Sequence, residues 1–231
     1  GNNKQECNEE CDGTDLGTCQ PGQTCTSTCT CQGGSDGSGP RGYLTTPQEL
    51  AIIKAKADQG KEPYKSAVAD VFTQAAKNWN FQLDPIESCS GADDPAWIDN
   101  NGGVPIVWAK ALTYHMDNTK CPTSASQGGC AEEVKDILEK IMTQVLQIDK
   151  NQQQCRLNFG WGIPEHIAAA DLIEDYWQGM TCTGPLSTSY TDTTIGTGDC
   201  KTLWQNWLAK HPFYIVSLAS SNTVTNWGAA A

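Results

Sequence analysis

Six cysteines stand within the first 31 residues: Cys7, Cys11, Cys19, Cys25, Cys29 and Cys31. About thirty residues cannot bury a sufficient apolar core, so cross-links must supply most of the order there. Such a cluster reads as a disulfide framework, which persists in oxidising surroundings. The expected location is therefore secreted, extracellular or in a cell wall. Zinc is the rival reading. Its sites favour paired cysteines two residues apart, whereas the intervals here are three, seven, five, three and one residues, and none of the three histidines lies nearby. No metal is expected in this module. The spacing leaves the pairing open.

Residues 1–32 form this disulfide-rich module. Residues 33–42, with Gly33-Gly34-Ser35-Asp36-Gly37-Ser38-Gly39-Pro40, read as a flexible Gly/Ser linker. Residues 43–231 form a second domain. Its six cysteines, Cys89, Cys121, Cys130, Cys155, Cys182 and Cys200, are widely spread and complete an even total of twelve. Cys121 and Cys130 could close the Pro/Ser/Gly-rich loop between them.

The formal charge of −12 argues against nucleic acid or an anionic membrane as partner. No run approaches the about 20 apolar residues that span a bilayer, so no membrane insertion is expected. Gly1-Asn2-Asn3-Lys4 carries no apolar leader, as in a mature chain whose leader has been removed. No Asn-x-Ser/Thr sequon is present, so N-glycans are not expected.

The second domain reads as mainly α. Thr46-Pro47-Gln48-Glu49 is a helix start, with Thr as cap, Pro in the first position and Glu in the third. That helix is expected to run to Asp58 and stop at Gly60. A second is expected from Pro63 to Trp79, and a third from Val104 to Met116. The clearest spans residues 131–148, where Val134, Ile137, Leu138, Ile141, Val145 and Ile148 keep the helical period. Lys135 and Glu139 are expected on its solvent side. Ile163 to Trp177 reads as a helix with Pro164 in its first turn. Residues 179–199 read as a loop, followed by short helices over Cys200–Lys210 and Phe213–Leu218. About seven helices joined by long loops suggest antiparallel hairpins of an α/α architecture.

Four segments are similar to the alginate-lyase-like family of polysaccharide lyases. They are Leu44-Thr45-Thr46-Pro47-Gln48-Glu49-Leu50 with Lys61-Glu62-Pro63-Tyr64; Gly102 to Leu112; Ile167 to Trp177, ending Glu174-Asp175-Tyr176-Trp177; and Asn222-Thr223-Val224-Thr225-Asn226-Trp227-Gly228. The resemblance covers about residues 43–228 and corresponds to the first part of the family's domain. It implies an (α/α) toroid, of which an incomplete form is expected here, whose cleft binds an acidic polysaccharide and cleaves it by β-elimination at a uronic acid. In that chemistry an amide or guanidinium neutralises the carboxylate, a base takes the C5 proton and an acid protonates O4.

On this resemblance Asn226, with Asn222 nearby, is the candidate carboxylate-neutralising amide; the alternative for Asn226 is a helix cap. His166, in Trp161-Gly162-Ile163-Pro164-Glu165-His166, is a candidate base or neutraliser; the alternative is a buried histidine bonded to a backbone carbonyl. His115 and His211 read as structural. Arg41 and Arg156 are the only arginines, and Arg156 is the candidate cation for substrate. Trp97, Trp161 and Trp227 lie beside Gly/Pro/Asn-rich loops and could stack on sugar faces, while Trp79, Trp108, Trp177, Trp204 and Trp207 read as core. No cofactor is expected. Asp93-Asp94 and Asp99-Asn100-Asn101-Gly102 offer oxygens to calcium, although a solvated turn is the stronger reading. The expected function is a secreted polysaccharide lyase; the alternative is a non-catalytic glycan-binding or assembly protein, able to self-associate, on the same scaffold.

Overall fold

The computed structural model describes residues 24–25, 31–32, 44–81, 83, 98, 102–143 and 153–211, with the backbone alone for 24–25, 31–32, 153–159 and 161. The chain divides into two compact units, Gly1–Arg41 and Gly42–Ala231. In the first, β1 (Thr24–Cys25) pairs antiparallel with β2 (Cys31–Gln32), with Cys25 opposite Cys31.

The second unit is mainly helical. Helix α1 (Pro47–Asp58) begins as its sequence implies. Thr46 Oγ1 accepts from the Glu49 N–H at 3.2 Å, and the Glu49 carboxylate accepts from the Thr46 N–H at 2.9 Å. These bonds hold the Glu49 carboxyl below its ordinary range, the Thr46 backbone contributing most. The helix buries only Leu50 and ends before Gly60, at φ 75°.

Helix α2 (Tyr64–Ala75) is shorter than its apolar period implies. The buried Lys110 ammonium donates to the Ala75 carbonyl at 2.6 Å, satisfying one of the acceptors that a helix end leaves open. Trp79 therefore lies beyond the helix. It packs on the core edge-on to Phe81, at 5.4 Å, under the Lys140 ammonium.

Helix α3 (Gly103–Asp117) is central and packs against α1, α2, α4 and α5, buried through Val104, Ile106, Val107, Ala109 and Ala111. A 3-10 turn (Ala125–Gln127) leads into α4 (Gly129–Met142), and the Cys121–Cys130 disulfide closes this connection. Val134, Ile137, Leu138 and Ile141 of α4 face the core, as their spacing implies; residues 144–150 lie outside the described residues.

The solvent-side expectation for Lys135 and Glu139 is corrected. Lys135 is mostly covered and pairs with Glu132 at 2.8 Å and Asp136 at 3.1 Å. Glu139 accepts from the Thr183 N–H at 2.7 Å, tying α4 to a strand that the sequence did not reveal.

Helix α5 (Gln153–Leu172) starts ten residues before the expected Ile163, placing Pro164 inside it. Proline removes the bond to the carbonyl four residues back, at Gly160. What α5 gains in return is close packing: a Cβ on Gly162 would stand 2.4 Å from the Ile98 carbonyl. A break at Ile173 separates α5 from the single turn α6 (Glu174–Trp177).

Residues 179–199 are not simply a loop. Strands β3 (Thr181–Pro185) and β4 (Ile195–Asp199) pair antiparallel, with Cys182 opposite Gly198 and Gly184 opposite Gly196. Glycine is a poor strand former, which hid the pair. Here it permits close approach: a Cβ on Gly184 would meet Leu203 at 3.1 Å and Met142 at 3.3 Å. The Cys182–Cys200 disulfide joins β3 to α7 (Cys200–Lys210), where the Asp199 carboxylate caps the Thr202 N–H at 2.9 Å. Trp204 and Trp207 stack at 5.0 Å with an interplanar angle of 7°, and Trp177 joins the same core. The expected helix over Phe213–Leu218 lies outside the described residues. No described helix is long and apolar enough to cross a membrane.

Candidate functional site

His166 sits on α5, one turn after Gly162. It is fully enclosed, at 0% exposure. Its Nδ1 donates to the Gly162 carbonyl at 2.6 Å. Burial pushes its pKa down to about 4, and the carbonyl bond opposes that shift only partly. The imidazole is therefore uncharged at neutral pH, the state in which a histidine can accept a proton. Its enclosure keeps a polymer from touching it in this arrangement.

Trp161 and Arg156 lie on the same helix, and the structure gives their backbone positions alone. Asn226, Asn222, Trp97 and Trp227 lie outside the described residues. So do Cys89 and the acidic stretch over Asp93, Asp94, Asp99, Asn100 and Asn101. Cys7, Cys11, Cys19 and Cys29 are also outside them; Cys25, Cys31 and Cys155 are placed by backbone only. Among the described residues, no group of three His, Cys, Asp or Glu side chains is arranged to hold a metal ion.

A second polar cluster went unnoticed in the sequence. At the junction of α3, α4 and α6, the Tyr114 hydroxyl donates to Asp175 at 3.1 Å and the Tyr176 hydroxyl donates to Glu132 at 2.8 Å. The rings meet edge to face at 6.1 Å. Gly128, at φ 99°, leaves the space that Tyr176 fills: a Cβ there would stand 2.1 Å from its hydroxyl. Both phenols are pushed up to about 12, by burial first and then by the neighbouring carboxylates. They are donors, poorly suited to act as bases. The available signal was the pair Glu174-Asp175 beside Tyr176, but helical spacing alone does not bring Tyr114 to it.

The other two histidines are structural in setting. His115 Nε2 donates to the Leu172 carbonyl at 2.6 Å, linking α3 to α5. His211 is buried beside Trp207 and Tyr190 and is pushed down to about 4 by burial, then by Lys210.

Comparison with protein-family models, with curated proteins and with solved structures finds no match.

Proposed function

We propose that this protein is a secreted polysaccharide lyase acting on a uronic-acid-containing polysaccharide. The observation that carries the reading is where the resembling segments fall. Three of the four lie on elements packed around α3: the start of α1 with its connection to α2, α3 itself, and the end of α5 with α6. Segments spread from Leu44 to Trp177 thus share one core, as expected of a common helical scaffold. The neighbouring pairs α1–α2 and α3–α4 are read as hairpins of an (α/α) toroid.

In the proposed reaction, the amides of Asn226 and Asn222 donate to the uronate carboxylate, stabilising charge that develops when the C5 proton leaves. The electron pair forms the C4–C5 double bond as the C4–O4 bond breaks, and O4 takes a proton from an acid or from water. His166, uncharged but fully enclosed, would take the proton-accepting role only in an arrangement that opens it to the polymer. Trp97, Trp161 and Trp227 supply stacking faces, and Arg156 a cation for a neighbouring carboxylate.

A second reading is a non-catalytic extracellular protein that binds glycan on the same scaffold. The enclosure of His166 favours it, as does the raised pKa of both Tyr114 and Tyr176. The two readings separate on the absorbance of a conjugated 4,5-unsaturated uronate, followed with alginate, glucuronan and pectate, with and without calcium. Asn226→Ala is expected to lower the rate on the order of 100-fold. An unchanged rate in both Asn226→Ala and His166→Ala removes those residues from the mechanism.

A further inference from the structure

The β3–β4 ladder has two edges, and they are built differently. The Cys200 N–H donates to the Met180 carbonyl at 3.0 Å, and the Leu186 N–H to the Thr194 carbonyl at 3.2 Å. In an antiparallel pair, hydrogen-bonded and non-hydrogen-bonded partners alternate. Between those two bonds, Cys182–Gly198 and Gly184–Gly196 are therefore the bonded pairs. Thr183, Pro185, Ile195 and Thr197 turn their main-chain groups outward.

On β3 the outer edge is closed. The Thr183 N–H donates to Glu139 at 2.7 Å. Pro185 has no N–H, and its carbonyl accepts from the Asn206 side chain at 3.0 Å. On β4 the edge is open. Among the described residues nothing pairs with the outward N–H and C=O groups of Ile195 and Thr197, and Thr197 is exposed. The strand carries no proline or lysine to guard it. Its one charge, Asp199, is turned back, accepting from the Thr202 N–H at 2.9 Å and the Gly179 N–H at 3.2 Å. Gly196 and Gly198 put no side chain beside Thr197. Leu186, 51% exposed, reaches from β3 across Gly196, where a Cβ would stand 2.8 Å from its Cδ1. The strip is thus uncharged and partly apolar, on a chain of net charge −12.

The strand is complementary to itself. An antiparallel two-fold axis at Thr197 sets Thr197 against its copy, Gly196 against Gly198, and Ile195 against Asp199. The two Thr197 residues then exchange two main-chain bonds, and each Asp199 N–H meets the Ile195 carbonyl of the other copy. No carboxylate faces another, which lets two chains of like net charge approach here. We propose that β4 is a self-association edge, to which a second copy of this chain adds its own β4 antiparallel about Thr197. The proposal does not depend on the lyase reading. Five-residue strands bury well under the about 1,000 Å² of a stable interface, so the dimer is weak, with a dissociation constant on the order of 0.1–1 mM.

The test is sedimentation equilibrium of the full chain up to about 1 mM, with NMR amide shifts followed on dilution. A concentration-dependent dimer is expected, with the shifts centred on Ile195–Asp199. Thr197→Pro removes the N–H that bonds the second copy and spares the ladder, to which that N–H does not contribute. Thr197→Lys sets two ammonium groups against each other. Each is expected to weaken the dimer about tenfold or more while the circular dichroism stays native. Mixing Thr197→Lys with Thr197→Glu is expected to restore association, which a merely damaged strand would not do. A monomer throughout overturns the proposal and leaves the edge to an extended segment of another protein. So does a dimer that both Thr197→Pro and Thr197→Lys leave intact, or a mixture of the two charged variants that stays monomeric.

Discussion

The Lys110 ammonium lies 2.5 Å from the Glu133 carboxylate, with no side-chain surface of Lys110 left exposed. The same ammonium donates to the Ala75 carbonyl, and the same carboxylate accepts from the Thr123 N–H at 2.5 Å. One ion pair thus ties the end of α2, the middle of α3, the start of α4 and the loop closed by Cys121–Cys130. Every partner in this knot is bonded, which is the condition under which a buried pair is tolerated.

Removing Lys110 leaves the mostly buried Glu133 carboxylate without its counter-charge, with the Thr123 N–H still bonded to it. Lys110→Ala is expected to cost about 3–5 kcal/mol of stability. Replacing both, as Lys110→Met with Glu133→Leu, is expected to cost less than the single change, because no charge is stranded. Urea denaturation of the three proteins measures this, and a double variant weaker than the single one contradicts it.

The two described disulfides should differ in worth. The Cys121–Cys130 bond closes a separation of 9 residues and Cys182–Cys200 one of 18. By chain entropy alone, removing the first costs about 2–3 kcal/mol, and doubling the loop adds about 0.6 kcal/mol. Thermal unfolding of paired Cys→Ala variants gives the order, with Cys182→Ala/Cys200→Ala expected to be the less stable.

Stability should fall with acid well before the carboxylates protonate. His166 and His211 are both buried and both pushed down to about 4. A histidine in the unfolded chain takes its proton near pH 6.5, so between there and about 4 the unfolded state binds more protons. The stabilisation is complete above pH 6.5 and is lost as pH falls toward 4, by about 3 kcal/mol for each histidine. Asn or Gln at His211 should flatten this slope in denaturation measured from pH 7 to 4.5. An unchanged slope would show that His211 does not titrate in this window.

Gly128→Ala should destabilise the α3–α4–α6 junction, because it forces a side chain to φ 99° and into the Tyr176 hydroxyl. A loss of at least about 1–2 kcal/mol is expected, with part recovered in Gly128→Ala/Tyr176→Phe, where the hydroxyl is gone. No recovery would place the strain in the backbone and in the remaining contacts with Glu132 Cβ and the Tyr176 ring.

What could be read from the sequence was local. The capping box at Thr46 and Glu49, the periodic face of α4 and the bounds of α7 depend on residues within a turn or two of each other. What escaped depends on distant partners. The end of α2 is set by Lys110, thirty-five positions on, and the start of α5 is carried past Pro164 by packing of Gly162 on Ile98. The β3–β4 hairpin is built on glycines that have meaning only against Leu203 and Met142. The candidate site divides in the same way. The carbonyl bond of His166 spans four residues and is legible in the sequence, whereas the Tyr114–Asp175 contact joins residues sixty-one apart.

The most direct measurement of the proposed chemistry is mass analysis of the products formed from alginate, glucuronan and pectate in water enriched in heavy oxygen. The lyase reading expects oligosaccharides with an unsaturated uronate at the new non-reducing end and no solvent oxygen incorporated by cleavage, because elimination adds no water. Intact polymer in every case, from a protein confirmed intact by mass, contradicts a lyase and leaves the glycan-binding scaffold; saturated products carrying solvent oxygen contradict elimination.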